Sequence, residues 1–291
     1  MAFPKNGVVE APKIVPSAFG LLAVVKPENS ADEDQWVRGF SQEWETTLYS
    51  ATNWDDTDST DGEVVAAGVP TYYTEIKPFF IEAEELRSGL GFLGLDRIAR
   101  LERQIEGVTQ HALEVELWDG AVRKGESHAN KALSSSTATI LNSGTALTAR
   151  RALALLEHAI GQASDGGEQG IIHMTRDVAA LLSSSSQMLL HEKEKDHLQT
   201  LGGTPVIVGS GYSGNGPTGA TGATATDANK WIYATGTVRT YVGNIDVVND
   251  SLAQAYDVSG NTNDMRLKAI RPAAVYFDTS IHLAVRVDLT A

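Results

Sequence analysis

The sequence predicts an α+β fold in which one long helix and a set of strands share a core. Apolar residues from Leu95 to Val115 recur at spacings of three and four, which is the period of an amphipathic helix. Apolar residues from Ile281 to Leu289 alternate with other residues, which predicts a strand with one buried face. Four prolines in the first 27 residues predict that the chain opens as an extended arm.

The composition excludes several classes of protein. The 291 residues are 42% hydrophobic, enough for one large domain or two small ones. With no cysteine, the chain has no disulfide, thiolate zinc site or thiol nucleophile. A net charge of −14 argues against specific nucleic-acid binding; it suits a container that does not grip DNA, although solubility is the simpler interpretation. We expect no membrane span and no signal peptide.

Residues 1–60 are predicted to form an arm that buries little on its own. Its aromatic residues Trp36, Phe40, Trp44 and Trp54 are of the type that anchors protein interfaces. We therefore expect neighbouring copies of the chain to hold the arm, with packing on its own subunit as the alternative. Deleting residues 1–40 is then expected to spare the folding of the rest.

Residues 61–92 are predicted to form a long two-stranded hairpin. The β-formers 71–74 and 79–81 flank Lys77-Pro78, and such residues favour strands. A two-stranded hairpin is marginal alone and needs another surface. The expected contact residues of this loop are Lys77, Phe79, Phe80, Glu84 and Arg87.

The rest of the chain alternates helices and strands. The long helix over 95–118 is predicted to end at Asp119-Gly120, with Gln110 away from its apolar stripe. The other predicted elements are a helix over 149–160, a strand over 170–174, a helix from Arg176 capped by Thr175, a strand over 205–208, and strands within 231–289.

A glycine-rich loop gives the most conspicuous motif. Residues 209–214 match G-x-G-x-x-G after a predicted strand, the pattern of a dinucleotide site. Such a site needs a helix to begin there, but Asn215-Gly216-Pro217 follows. We therefore predict no bound cofactor here. Residues 216–224, which read as three collagen-like triplets, are too few for a triple helix and are predicted to form a flexible surface loop.

The remaining polar clusters do not predict an active site. His191 and His197 lack the spacing of a zinc motif. The acidic run 55–63 fails the register of a calcium loop, which leaves a weak cation site shared between subunits as an alternative. No nucleophile elbow or catalytic carboxylate pair stands out, so we predict no catalytic residue and no resident metal.

Several segments, in order over nearly the whole chain, resemble the tailed-phage capsid fold of the Hong Kong 97 type. The similarity is strongest to major capsid proteins of phages that infect actinobacteria. Each segment is weak alone, and their order carries the resemblance. The segments are 20–40, Lys77-Pro78-Phe79, 115–120, 170–173, 201–212, 231–236 and 269–275.

The resemblance implies an HK97-like subunit that catalyses nothing. Copies of it would gather as pentamers and hexamers of an icosahedral head around double-stranded DNA, assembled in the bacterial cytoplasm and found in the virion. The implied parts are an N-terminal arm (1–60), an extended hairpin loop (61–92), a peripheral domain with a long spine helix (93–130), an axial domain (131–244) and C-terminal strands of the peripheral domain (245–291).

The resemblance also bears on partners. Because the arm begins almost at once, we expect no removable scaffolding region and hence a separate scaffolding protein, beside a portal and a decoration protein. Some relatives cross-link a lysine to an asparagine, but Lys77 beside Pro78 gives no reason to expect this. The alternatives are an encapsulin-like compartment with protein cargo, an enzyme that uses the 209–214 loop, and a minor virion protein.

Overall fold

The computed structural model describes residues 15–28, 33–45, 48–49, 66–67, 71–88, 97–120, 130–163, 170–186, 189–191, 197–248, 256–257 and 264–290. The helices in these ranges are α1 (Leu21–Val24), α2 (Glu33–Arg38), α3 (Arg97–Asp119), α4 (Ala149–Ala163) and α5 (Arg176–Ser186). The strands are β1 (Phe40–Glu45), β2 (Leu48–Tyr49), β3 (Ala66–Ala67), β4 (Thr71–Ile76), β5 (Phe79–Ser88), β6 (Thr139–Ile140), β7 (Leu147–Thr148), β8 (Ile171–Met174), β9 (Leu189–His191), β10 (Leu198–Thr200), β11 (Pro205–Val208), β12 (Asn229–Thr235), β13 (Val238–Val242), β14 (Asp246–Val248), β15 (Tyr256–Asp257), β16 (Asp264–Phe277) and β17 (His282–Asp288).

The larger sheet is buried on both faces. Its strand order is β6-β17-β12-β8-β11-β10-β9, with β7 also beside β17. On one face Leu283, Val285 and Val287 of β17 pack with the apolar residues of α4 and α5. Ala284 of the same strand belongs to the other cluster, which contains the end of α3. The predicted strand over 281–289 is confirmed, but both of its faces are covered rather than one.

The smaller sheet is built around β16, the longest strand. β16 pairs antiparallel with β5, β13, β14 and β15. The long helix α3 lies against β16 and β5, and its buried residues Leu101, Ile105, Leu113 and Leu117 join them in one apolar cluster. This packing of one long helix on an antiparallel sheet is an α+β arrangement.

The helix α3 confirms the predicted element but not all of its buried face. It ends where predicted, because Gly120 takes a φ of +61° and its N–H bonds to the Glu116 carbonyl at 2.9 Å. Ile98 and Val108 are exposed, whereas Gln110 is buried. The predicted stripe was wrong at these positions. Gln110 is buried because this part of α3 meets the arm as well as the sheet, and the Gln110 side-chain amide donates to the Ser17 carbonyl at 3.3 Å.

The extended hairpin is present but uses different strands. β4 pairs with β1, from Phe40 opposite Ile76 onward, and β2 pairs with β3 farther along. β5 instead pairs with β16. The predicted pairing across Lys77-Pro78 was therefore wrong. Tight two-residue hairpin turns favour positive φ, which proline cannot adopt.

Part of the predicted arm belongs to the subunit's own core. Leu21 is fully buried, and Val25 joins the cluster around α3. Glu28 continues the edge of β13, since its N–H bonds to the Thr240 carbonyl at 2.8 Å. The expectation that residues 1–60 bury little was wrong for this segment, because the apolar run over 20–25 fills the space between α3 and β11. Deleting residues 1–40 is now expected to damage folding.

The turn at Gly39 gives a first testable prediction. Gly39 has a φ of +98°, and a Cβ there would lie 2.6 Å from the Ile76 carbonyl oxygen. We expect Gly39→Ala to lower the free energy of unfolding by about 1–3 kcal/mol, measured by urea denaturation. Gly161, in α4, has open space around a Cβ, so Gly161→Ala should stabilise by about 0.5–1 kcal/mol. Equal effects of both substitutions would contradict this account of Gly39.

Candidate functional site

Glu114 joins three segments of the chain at one buried carboxylate. It lies on α3 and has no exposed surface. Its Oε1 accepts hydrogen bonds from the Leu21 N–H and the Gln110 side-chain amide, both at 3.0 Å. Its Oε2 accepts from the N–H groups of Ser210 and Gly211, at 2.7 and 2.8 Å, and from the Ser210 hydroxyl at 3.0 Å. We call Glu114 and these four partners the Glu114 junction.

The Glu114 junction explains the G-x-G-x-x-G motif. Consecutive backbone N–H groups form an anion-binding concavity, and here the anion is the protein's own carboxylate. Gly211 is required for close approach, because a Cβ there would lie 2.7 Å from the His111 carbonyl oxygen. The loop amides that could have met a phosphate are thus bonded to α3. The motif positions the loop after β11 against the long helix.

Aromatic side chains fix the rest of this loop. Trp118 is fully buried, with its ring 4.5 Å from that of Tyr212 and 5.0 Å from that of Tyr233. The Trp118 indole N–H and the Tyr233 hydroxyl both donate to the Asn215 carbonyl, at 3.1 and 3.0 Å. Farther along, the Trp231 indole N–H donates to the Gly222 carbonyl at 2.8 Å. The loop lies at the surface as predicted, since Thr218, Gly219 and Thr221 are exposed, and these bonds attach it to the core.

His173 is a buried neutral histidine in the middle of β8. The Thr235 hydroxyl donates to the Gly236 carbonyl at 3.0 Å, so it accepts from His173 Nε2–H at 2.9 Å. Nδ1 then accepts from the Tyr212 hydroxyl at 3.0 Å. Burial, together with the nearby His282, lowers the pKa of His173 to about 3. The ring is therefore a structural link between β8, β12 and the loop.

This histidine predicts acid sensitivity. Below about pH 6.5 the unfolded chain takes up a proton at this residue while native His173 stays neutral, so stability falls by up to about 1.4 kcal/mol per pH unit. We expect the free energy of unfolding to fall between pH 6.5 and 5. The fall should shrink in His173→Gln and persist in His158→Gln, since His158 is exposed. An undiminished fall in His173→Gln would contradict this assignment.

Two of the predicted contact residues serve the subunit's own core. Phe40 is 9% exposed and stacks on Tyr241 at 4.7 Å, and Trp36 meets the Phe40 ring edge-on at 5.1 Å. Phe79 is 3% exposed in the cluster around α3. Phe40 and Phe79 therefore have almost no surface for a neighbouring copy, because the sheet around β16 already covers them.

The other predicted contact residues stay predictions. Phe80 and Glu84 are exposed on β5. The Lys77 ammonium donates to the Arg38 carbonyl at 2.9 Å, and its backbone exchanges two 2.8 Å hydrogen bonds with the Asn130 side chain. Of Trp44 and Arg87 only the backbone is described, in β1 and β5. Trp54 lies outside the described residues.

The hairpin from β1 to β4 is the best candidate for contact with another molecule. Its base is anchored, because Phe40 and Ile76 pack with Ala274 and Tyr276 of β16. Among the described residues, β1 and β4 pair only with each other, and so do β2 and β3. β1, from Phe40 to Glu45, spans about 20 Å at roughly 3.3 Å per residue. A two-stranded ribbon of this length needs another surface to lie on.

Sequence reasoning missed the Glu114 junction. The available signal was the pair of glutamates, Glu114 and Glu116, within the most apolar part of the long helix. Both are buried, and a carboxylate is rarely buried without hydrogen-bond donors. Within the part of the chain described, no helix is long and apolar enough to span a membrane. The described side chains include no group of three or more potential metal ligands.

Comparison with solved structures identifies the fold. The capsid of an empty GTA particle matches with a TM-score of 0.59 at 12% identity, covering 99% of this chain and 94% of that chain. Mycobacterium phage Adephagia matches at 0.54 and 11%, covering 98% and 94%. Microbacterium phage Oxtober96 matches at 0.53 and 12%, covering 99% and 96%. No protein-family model and no curated protein matches the sequence.

These matches assign the molecule to the capsid-type α+β fold. The likeness runs along almost the full length of both chains in each comparison. The fold is that of phage and GTA capsids, as the sequence resemblance predicted. Neighbours from phages of Mycobacterium and Microbacterium agree with the resemblance to capsid proteins of actinobacterial phages.

Proposed function

We propose that this chain is the major capsid protein of a tailed phage. Copies would assemble as pentamers and hexamers into an icosahedral head that encloses double-stranded DNA. The observation that carries the proposal is the match to a GTA capsid over 99% of this chain and 94% of the other. A partial match would indicate a shared module only, whereas a match along nearly the whole of both chains favours a shared role.

The hairpin built by β1 to β4 supports the same role. Its base is formed by Phe40 and Ile76, which pack on β16, and its remaining length is available to lie across a neighbouring copy. We assign residues 40–76 to the extended loop, in place of 61–92. α3 takes the part of the spine helix, and the sheet containing β8 to β11, with α4 and α5, takes the part of the axial domain.

Charge supports DNA enclosure without DNA binding. The net charge of −14 repels phosphates over distances of about a Debye length, roughly 8–10 Å at moderate salt. A wall with this charge lets packaged DNA slide during filling and release. The expected partners are a separate scaffolding protein, a portal and a decoration protein. Assembly is expected in the host cytoplasm, with the virion as the final location. The neighbouring capsids do not favour the encapsulin alternative.

Sedimentation of the full-length protein tests the proposal. The chain is expressed alone and together with each candidate scaffolding protein from the adjacent genes, and the lysate is separated on a gradient. Fast-sedimenting closed particles are expected in at least one combination, with this chain as the most abundant component. A protein that sediments only as a monomer in every combination would overturn the proposal, and a low copy number in authentic virions would identify a minor virion protein instead.

A further inference from the structure

The turn between β10 and β11 holds an apolar side chain in solvent. Leu201 is 73% exposed. The turn that carries it is well braced: the Thr200 N–H donates to the Thr204 carbonyl at 2.9 Å, and the Thr204 N–H to the Thr200 hydroxyl at 3.2 Å. The Gly203 N–H also donates to the Thr200 carbonyl at 3.0 Å. A large apolar residue on a rigid, exposed turn is typical of a contact site.

An apolar pocket lies at the other end of the same β10–β11 pair. Arg176, at the start of α5, lies on its rim and donates to the Ser17 hydroxyl at 2.9 Å. The pocket has a volume of about 470 Å³, and its apolar lining residues are Ala18, Phe19, Ala179, Ala180, Leu198 and Val208.

Leu201 cannot fill the pocket of its own subunit. Leu198 pairs with Val206, so the strands run from the pocket toward the turn. Leu201 lies three positions after Leu198, which corresponds to about 10 Å along the chain at roughly 3.3 Å per residue. Turn and pocket therefore lie at opposite ends of one rigid element. When a protruding side chain and a pocket lie at opposite ends of a subunit, the turn of one copy can contact the pocket of the next. Such a head-to-tail contact closes into a ring when the rotation between copies allows it.

Charge complements this contact. Glu157 lies beside the turn, where its Oε2 accepts from the Thr204 hydroxyl at 3.0 Å. Its Oε1 is buried and has no hydrogen-bond partner among the described residues. An unpaired buried carboxylate oxygen is costly, and a cation that approaches this turn would supply the missing donor. Arg176 on the rim of the pocket supplies such a cation when the pocket belongs to another copy.

We propose that the Leu201 turn of one copy inserts into the pocket between the arm and α5 of the next copy, with Arg176 of the second copy facing Glu157 of the first. This inference rests on the proposed capsid function and assigns the contact that joins neighbouring copies within a pentamer or hexamer. The occupant of the pocket is a second copy of this chain.

Cysteine cross-linking tests this contact, because the native chain contains no cysteine. The variant Leu201→Cys/Ala180→Cys is assembled, oxidised and run on a non-reducing gel. A ladder that ends at five or six linked chains is expected. The matched control is Gly161→Cys/Ala180→Cys, since Gly161 is exposed on α4, and it should stay mostly unlinked. Each single-cysteine variant should also give no ladder.

The outcomes separate the contact from the capsid role. Particles that form without a ladder, or with an equal ladder in the Gly161 control, overturn the contact and leave the proposed function standing. If the cysteine variants form no particles although the unmodified chain does, the contact is tested instead with Arg176→Glu and Glu157→Arg. Each of these should reduce particle yield at least tenfold, and their combination should restore it; no restoration overturns the contact. If the unmodified chain never assembles, both the capsid function and the Leu201 contact are contradicted.

Discussion

Replacing Glu114 with alanine is expected to lower the free energy of unfolding by about 3 kcal/mol or more. The substitution leaves the buried Leu21 N–H and the partly buried N–H groups of Ser210 and Gly211 without their acceptor. A fully buried unsatisfied group costs about 1–3 kcal/mol, and the two partly buried groups add to this. Glu114→Gln should lose a smaller amount, since its side chain keeps one acceptor oxygen but places an NH₂ group against N–H donors. Urea unfolding of the unassembled protein measures both effects.

The Glu114 junction also predicts where the damage appears. Amide hydrogen exchange should speed up at Leu21 and at Ser210 and Gly211 together, because one carboxylate holds the arm and the loop. Glu106→Gln is the matched control, because Glu106 is an exposed glutamate on the same helix; its effect should stay within about 0.5 kcal/mol. If Glu114→Ala and Glu106→Gln unfold at the same urea concentration, the junction is not a source of stability.

Trp118→Ala is expected to cost about 3–5 kcal/mol, the range for removal of a fully buried large aromatic side chain. The substitution removes the ring that packs between Tyr212 and Tyr233 and the indole hydrogen bond to the Asn215 carbonyl. The loop after β11 should then become more accessible to protease than in the unmodified protein. Thermal unfolding and limited proteolysis measure the two effects.

A conservative replacement and an exposed position are the controls for Trp118. Trp118→Phe keeps most of the ring contact and should cost clearly less than Trp118→Ala. Ile98→Ala, on the same helix but 42% exposed, should cost about 1 kcal/mol or less. A similar loss for Ile98→Ala and Trp118→Ala would show that burial of Trp118 does not hold the loop and helix together.

Local patterns predicted the elements of this fold well. The period of the long helix and its Gly120 end signal, the strand over 170–174 and the alternation over 281–289 all depend on near neighbours in sequence. The sequence did not predict which distant strands pair with each other. Nothing local to residues 77–78 shows that β4 returns to β1 while β5 joins β16. These partners are set by burial of Phe40 and Ile76 on one side and Phe79 on the other.

The functional residues were harder to predict for the same reason. Aromatic side chains such as Phe40 suit an interface and a core equally well, and only the three-dimensional packing on Tyr241 separates the two. The Glu114 junction needs three segments that are about a hundred residues apart. A single sequence shows that a carboxylate lies in an apolar stretch of helix, but not which amides surround it.

We propose that copies of this chain close into a shell in which the hairpin over residues 40–76 lies on a neighbouring copy. Cryo-electron microscopy of the assembled particles measures this directly. The account predicts an icosahedral shell with five- and six-fold capsomers, in which density for this hairpin crosses the adjacent subunit. A reconstruction in which the hairpin folds back wholly onto its own subunit, or a protein that yields no symmetric particle, would contradict it.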